Sequence, residues 1–451
     1  MVDQSATEAE TSLSGARLAL VVLAATWLMA YLDRAIIALL ATSIKHSFQV
    51  SDVQLGVLQG IAFSGIYILV ALPIGRLADR SNRRNIILFG VCTWSLATIA
   101  CGLAQTYHEL ALARMAMGMG EACLGPASIS MIADYFARSQ RGRAIGVVTG
   151  AATVGSAASS VLGGLILALC GGTAVAIPLL GLTEPWQVTF IVLGAPGFIV
   201  ALALLTVREP PRRQAAAQVL PPGGSVEGFG GLLVRRWRFF VPVYLALTFS
   251  VFAGFGGAAW MATVAIRRYH LTPAFVGLVG GTIGLGMATI APLAVGMMSD
   301  WAGKRWPGIG RMGLIAVLFV AQIPLICGWA FLPVPYAIFL VFSVLNGAIG
   351  AGLPSSGYIV LQEVVPNNMR AQAVAVFQIL SNVVGMGFGP IVMAMVTEYV
   401  FRDDMMIGNA VASVSLVCAV LGLLASLAAV SYMRSLAGRD DGGASPAGQP
   451  A

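Results

Sequence analysis

The sequence predicts an all-α membrane protein of twelve transmembrane helices in two six-helix bundles, and three observations carry that prediction. Of 451 residues, 58% are hydrophobic and only 10% charged, against roughly 25% charged in an ordinary water-soluble protein, so most of the surface must face lipid. Apolar stretches of about 20 residues, enough to cross the hydrocarbon, recur along the chain. The longest polar connection falls near the middle and divides the chain into halves.

Residues 1–16 form a polar, acidic segment without a small-residue cleavage site. They are expected to be a cytoplasmic tail, and the first apolar segment a span rather than a removable signal. The first bundle, 17–207, holds spans near 17–43, 53–78, 84–104, 107–136, 142–170 and 186–207. The linker 208–238 carries REPPRR, a Pro/Gly stretch and RRWRFF, and the mixture of apolar and basic residues from Leu232 to Phe240 predicts an amphipathic helix on the membrane surface. The second bundle, 239–434, holds spans near 239–268, 273–300, 310–331, 334–363, 370–398 and 405–434, and 435–451 is expected to be a disordered cytoplasmic tail.

Orientation follows from the basic residues. With the amino terminus inside, the tails and even-numbered connections hold 20 of the 26 Lys and Arg, and the opposite side holds only Lys45, Arg267, Arg268 and Arg402. Both termini and the linker are therefore expected in the cytoplasm, with the chain in the cell's inner membrane. The net charge of +7 sits in short loops between spans, a pattern of contact with anionic lipid rather than with nucleic acid. The six cysteines lie singly in apolar stretches and read as small hydrophobes, so no metal site is expected. His46, His108 and His270 fall at the outer ends of spans. No HExxH, GxSxG or phosphate-binding lysine loop occurs, so no catalytic residue is assigned and an enzyme is not expected.

Charges inside spans are the informative exceptions, because each costs roughly 2.5–3.5 kcal/mol at a span centre on insertion scales. Asp33 and Arg34 sit past the middle of the first span, about 100° apart on the helix, and must seek partners elsewhere. Arg114, Gly118, Glu121 and Gly125 follow i, i+4, i+7, i+11, so both charges share one face with glycines that admit another helix. Arg34 is expected to pair with Glu121, and Asp33 and Arg114 to extend the network. Desolvation and a nearby arginine push a carboxylate's proton affinity in opposite directions, so Asp33 and Glu121 are candidate proton sites, and Arg34, once released, a site for an anionic group.

The halves also repeat. Gly75 and Asp79 recur as Gly296 and Asp300, 221 positions later, and Asp134 and Arg141 as Glu363 and Arg370, 229 positions later. Between spans two and three the chain reads GRLADRSNRR. This loop resembles that of the major facilitator superfamily through Gly75, Leu77, Asp79, Arg80, Arg83 and Arg84, with Asn82 where glycine is usual, a residue that tolerates a left-handed backbone. The resemblance implies the major facilitator fold and a cytoplasmic gate: Asp79 facing a helix amino terminus of the other half, the arginines binding acidic groups, and Asp134, Arg141, Asp300, Glu363 and Arg370 joining in. YLDRAII (31–37), SDVQLGVL (51–58) and GMGEACLGPASISMIADYF (118–136) further resemble the spinster branch, whose members move lysophospholipids or sphingosine phosphate. That likeness implies coupling roles for Asp33, Arg34 and Glu121.

In the second half, Trp260, Asn346, Ser355, Tyr358, Gln378 and Asn382 are candidate lining residues among Gly, Ala and Phe, a mixture suited to an amphiphile more than to a sugar. The expectation is a proton-coupled, alternating-access secondary transporter, working as a monomer with no cofactor beyond the coupling proton. Its substrate is expected to be a lysophospholipid or sphingoid-phosphate-like amphiphile, with Arg34 and Arg114 among its binding residues and membrane lipid as the other partner. A proton-linked symporter of a small organic anion of the sugar-acid type, or a multidrug efflux carrier, is the alternative. The fifth span, 150–164, lacks the Gly-Pro pair common in the superfamily's antiporters, which disfavours drug/proton exchange.

Overall fold

The computed structural model describes residues 2–177, 181–212, 229–307, 309–366 and 369–442. Helices dominate. The first half comprises α1 (Val2–Phe48), α2 (Asp52–Gln59), α3 (Ile61–Arg80), α4 (Arg83–Leu103), α5 (Tyr107–Glu121), α6 (Leu124–Tyr135), α7 (Arg138–Leu169), α8 (Pro185–Gly194) and α9 (Pro196–Thr206). After the linker come α10 (Phe229–Arg235), α11 (Trp237–Tyr269), α12 (Pro273–Arg305), α13 (Gly310–Ala330), α14 (Tyr336–Val364), α15 (Arg370–Leu380), α16 (Gly389–Met395) and α17 (Ile407–Gly442).

Among the described residues, eleven helical stretches are long and apolar enough to span a membrane. The remaining expected span, 107–136, is the pair α5 and α6, each too short by itself. Ala122 and Cys123 between them keep right-handed helical dihedrals, so the path continues through a local break. Gly60 interrupts the second span with non-helical dihedrals (φ −105°, ψ −99°), and only glycine fits there, because a Cβ would collide with the carbonyl of Gly387.

Four details depart from the sequence reading. A two-stranded antiparallel hairpin, β1 (Val175–Ile177) with β2 (Gly181–Thr183), fills the connection between α7 and α8. The expected tail before residue 17 is continuous with α1, and α17 runs to Gly442, so 435–442 is helical rather than disordered. RSLAGRDD lacks a proline to stop a helix, and the chain reaches paired glycines only at Gly442 and Gly443; 443–451 lie outside the described residues. The eleventh span is α15 and α16 joined by π-helical stretches at Ser381–Phe388 and Val396–Phe401. In the linker, 213–228 lie outside the described residues, and the expected helix from Leu232 to Phe240 is divided between the short α10, which ends at Arg235, and the first turn of α11.

The chain falls into two compact units that do not coincide with the two halves. One is Met1–Leu220 with Gly256–Thr289 and Met386–Ala410; the other is Pro221–Phe255 with Ile290–Gly385 and Val411–Ala451. The core of the first gathers Phe63, Trp94, Met117 and Met131. That of the second gathers Phe239, Phe240, Phe319 and Phe377.

Candidate functional site

The four intramembrane charges converge in the first unit. Arg34 donates through Nε to Glu121 Oε2 at 3.0 Å and through Nη2 to the same oxygen. Its guanidinium lies 4.6 Å from the ring centroids of Tyr31 and Phe63 and 5.5 Å from that of Tyr67. Cation–π attraction in a desolvated setting contributes about 2 kcal/mol per good contact, so the rings hold Arg34 in place even when its carboxylate partner is neutral. The Arg34 side chain is 18% exposed and that of Glu121 1%. The cation is thus the reachable member of the pair.

Asp33 and Arg114 join the pair through the field of their charges, with no hydrogen bond or ion pair to it among the described residues. Asp33, buried on α1, accepts a long hydrogen bond (3.4 Å) from the Thr98 hydroxyl of α4, and its Oδ1 accepts none from a described residue. Arg114 is fully enclosed, donates to the Leu58 carbonyl at 3.5 Å and lies 5.4 Å from the Phe63 ring. It contributes positive potential from behind the Phe63 ring and does not present a binding surface. Glu121 Oε1 likewise accepts no hydrogen bond from a described residue. Among the described residues, no group of three or more His, Cys, Asp or Glu side chains is placed to hold a metal ion.

At the basic ends of the first-half helices, Arg83 is the centre of the GRLADRSNRR loop. Completely buried, it donates to Glu209 at 2.6 Å, to Ser130 at 3.0 Å, to the Pro210 carbonyl at 3.0 Å and to Asp134. Arg212 caps the end of α3 through the carbonyls of Ala78, Asp79 and Ser81. Glu209 and Arg212, which motif reading missed, therefore tie the linker to the loop. Asp79 and Arg80 are exposed, and Gly75 has open space around it. Asn82 is a correction: at φ −71° it is extended rather than left-handed, and its side chain accepts from the Asn85 amide as the N-cap of α4.

The second unit repeats this plan. Arg311 binds Glu363 and Asp300 as Arg83 binds Asp134. Arg141 donates to the Phe136 carbonyl at 3.1 Å, and Arg370 to the Val365 carbonyl at 3.3 Å, both five residues back. Arg311 was missed, although it lies 228 positions after Arg83, within one residue of the repeat spacing.

The opposite ends of the helices carry a cluster that sequence reasoning did not single out. Asp52, 1% exposed at the start of α2, accepts two hydrogen bonds from Arg267 of α11, both 2.7 Å, and one from Lys45 of α1 at 2.9 Å. Lys45 also binds Asp404, and Arg267 donates to the Asp404 carbonyl at 2.9 Å. Beside it α7 and α12 meet backbone to backbone: a Cβ on Gly277 would lie 2.6 Å from the Ser160 carbonyl, and one on Gly164 2.6 Å from the Leu278 amide. All these residues belong to the first unit, which explains why parts of α11 and α12 group with the first half.

The second-half lining residues divide. Trp260 is fully buried and donates to the Pro390 carbonyl at 2.9 Å, so its indole packs helices together instead of lining a cavity. Gln378 donates to the Tyr358 hydroxyl at 2.8 Å, and Asn382, in the first π-helical stretch, donates to the Gln378 carbonyl at 2.9 Å, forming one polar cluster in the second unit. Asn346 and Ser355 are half-buried on α14.

Spanning helices, a buried ion pair with a reachable cation, and the same charge plan in both halves define a multi-pass membrane transporter. The sequence profile of the Major Facilitator Superfamily matches residues 22–325. The chain belongs to that superfamily. It is 27% identical over 383 residues to an MFS-type efflux pump of Mycolicibacterium smegmatis, covering 85% of this chain and 84% of that protein. It is 27% identical over 287 residues to a probable L-galactonate transporter of Escherichia coli, covering 61% of this chain and 59% of that one. It is 29% identical over 272 residues to protein spinster homolog 1 of Homo sapiens, covering 59% of this chain and about half (49%) of the human protein. Its fold resembles a solved bacterial homolog of the human lysosomal transporter Spinster, in an inward-facing and unoccupied conformation, with TM-score 0.76 at 24% identity over 94% of this chain and 98% of that one.

Proposed function

We propose that this chain is a proton-coupled, alternating-access carrier of an amphiphile with an anionic headgroup, of the lysophospholipid or sphingoid-phosphate type. The observation that carries the reading is the Arg34–Glu121 pair, whose cation alone is reachable. A proton on Glu121 removes the charge that Arg34 neutralises, and the aromatic rings keep the guanidinium in position to take a phosphate instead. Asp33, next to Arg34 on α1, is a second proton site. The resemblance of 31–37, 51–58 and 118–136 to the spinster branch supports the lipid-like substrate.

The E. coli relative favours the second reading, a proton-linked carrier of a sugar-acid-like anion, since one arginine suits either headgroup. The proposal includes operation as a monomer in the inner membrane, with both termini cytoplasmic. Uptake into proteoliposomes of a labelled lysophospholipid against a labelled sugar acid, with and without a pH gradient, tests both readings. Gradient-driven uptake of the lipid alone is the expected result, and uptake of the sugar acid alone overturns the substrate assignment.

A further inference from the structure

A cavity of about 440 Å³ lies in the second unit where α10 meets the end of α14 and the start of α15. Its volume falls within the roughly 300–1,000 Å³ range of small-molecule sites. Arg235, Arg236 and Arg370 line it together with Leu232 and a single carboxylate, Glu363, and that carboxylate is held by Arg311. Among the described residues, the Arg236 guanidinium and the terminal nitrogens of Arg370 donate to no partner. The Arg370 Nε is fixed on the Val365 carbonyl, which orients the rest of its fork. Like charges gathered in a cavity, with their one acid engaged elsewhere, raise the local affinity for an anion.

We propose that this cavity binds the phosphate of an anionic phospholipid headgroup. Guanidinium forks match phosphate oxygens in pairs. The lipid is favoured over a free anion by the neighbouring side chains: Phe229 and Leu232 anchor α10 in the core, while Val234 (75% exposed) and Trp237 (55% exposed) present apolar surface beside the arginines. The Arg238 guanidinium lies 5.7 Å from the Trp237 ring centroid. Such a mixture of basic and apolar groups next to a span is the arrangement that holds a headgroup and the start of its acyl chains. The site also touches the Arg311–Glu363–Asp300 group, so an occupant shares its field with the second-half gate. None of this depends on the substrate assigned to Arg34.

Native mass spectrometry of the full chain in detergent reads the site directly, with phosphatidylglycerol, phosphatidylcholine and inorganic phosphate as probes. The expected result is preferential retention of phosphatidylglycerol over phosphatidylcholine. Each of Arg236→Gln and Arg370→Gln should weaken that retention about fivefold, as expected for one basic side chain near an anionic surface. Arg434→Gln, which removes the same charge from an exposed position on α17, should leave it unchanged. Two independent arginine variants keep the test decisive if one fails to fold. Equal retention by all three variants, or no preference in the unaltered chain, overturns the site; displacement of the lipid by inorganic phosphate at equal concentration overturns the lipid assignment.

Discussion

Arg34 and Glu121 differ in what each can lose. Glutamine in place of Glu121 keeps the shape of a protonated carboxyl but can no longer exchange a proton. Glu121→Gln is therefore expected to abolish pH-gradient-driven accumulation while leaving substrate counterflow measurable, and unchanged gradient dependence would remove Glu121 from the coupling role. Arg34→Lys keeps the charge but loses the planar fork and the stacking on Tyr31 and Phe63. It should weaken binding of an anionic substrate about tenfold, equivalent to roughly 1.4 kcal/mol; unaltered affinity in a direct binding titration would place the headgroup elsewhere. These residues were legible from sequence because charges in apolar spans are costly. Their partners were legible only in part: the i+7 relation of Arg114 and Glu121 put both on one face, but Asp33 reached Thr98 and Arg114 reached the Leu58 carbonyl, choices set by the helix crossings.

Arg83 shows what a motif means once it is folded. Sequence placed it in a loop as a basic residue for orientation or latching, whereas it is the fully buried first residue of α4, saturated by Glu209, Ser130, Asp134 and Pro210. Removing one member of a buried charged group costs about 3–5 kcal/mol, so Arg83→Gln should lower the apparent melting temperature in detergent markedly. Arg84→Gln should lower it less, since Arg84 is only half-buried and its guanidinium bonds Asn85 and the Val207 carbonyl rather than buried carboxylates. Equal losses for the two would show that burial is not what matters here. Patterns that run along the chain were legible: the succession of apolar spans and the repeat of charges between halves. The break between α5 and α6 and the π-helical stretches were not, because no local pattern marks them, whereas the capping role of Asn82, which rests on an amide three residues on, was local and was overlooked in favour of the glycine comparison. Gly60 must be glycine because the Gly387 carbonyl, more than 300 residues away, leaves no room for a Cβ.

A carrier that alternates must be able to part the surfaces that Asp52 holds together. Lys45 and Asp52 come from the first half, Arg267 and Asp404 from the second, and the tight α7–α12 crossing lies alongside. Asp52→Asn would leave Arg267 and Lys45 without their shared buried anion, a change of about 3–5 kcal/mol against the joined arrangement. Every 1.4 kcal/mol shifts an equilibrium tenfold, so the joined form should lose on the order of two to three and a half decades of preference over its opened alternative. Spin labels at His46 and Thr272, which border one cavity at these helix ends, would report the separation in a background with the six native cysteines replaced. A longer, newly populated distance is expected in Asp52→Asn, and Gly277→Leu should produce the same shift by steric means, since its side chain would meet the Ser160 carbonyl. If both variants keep the short distance, this cluster is a static brace, and the parting of the helices must occur at another set of contacts.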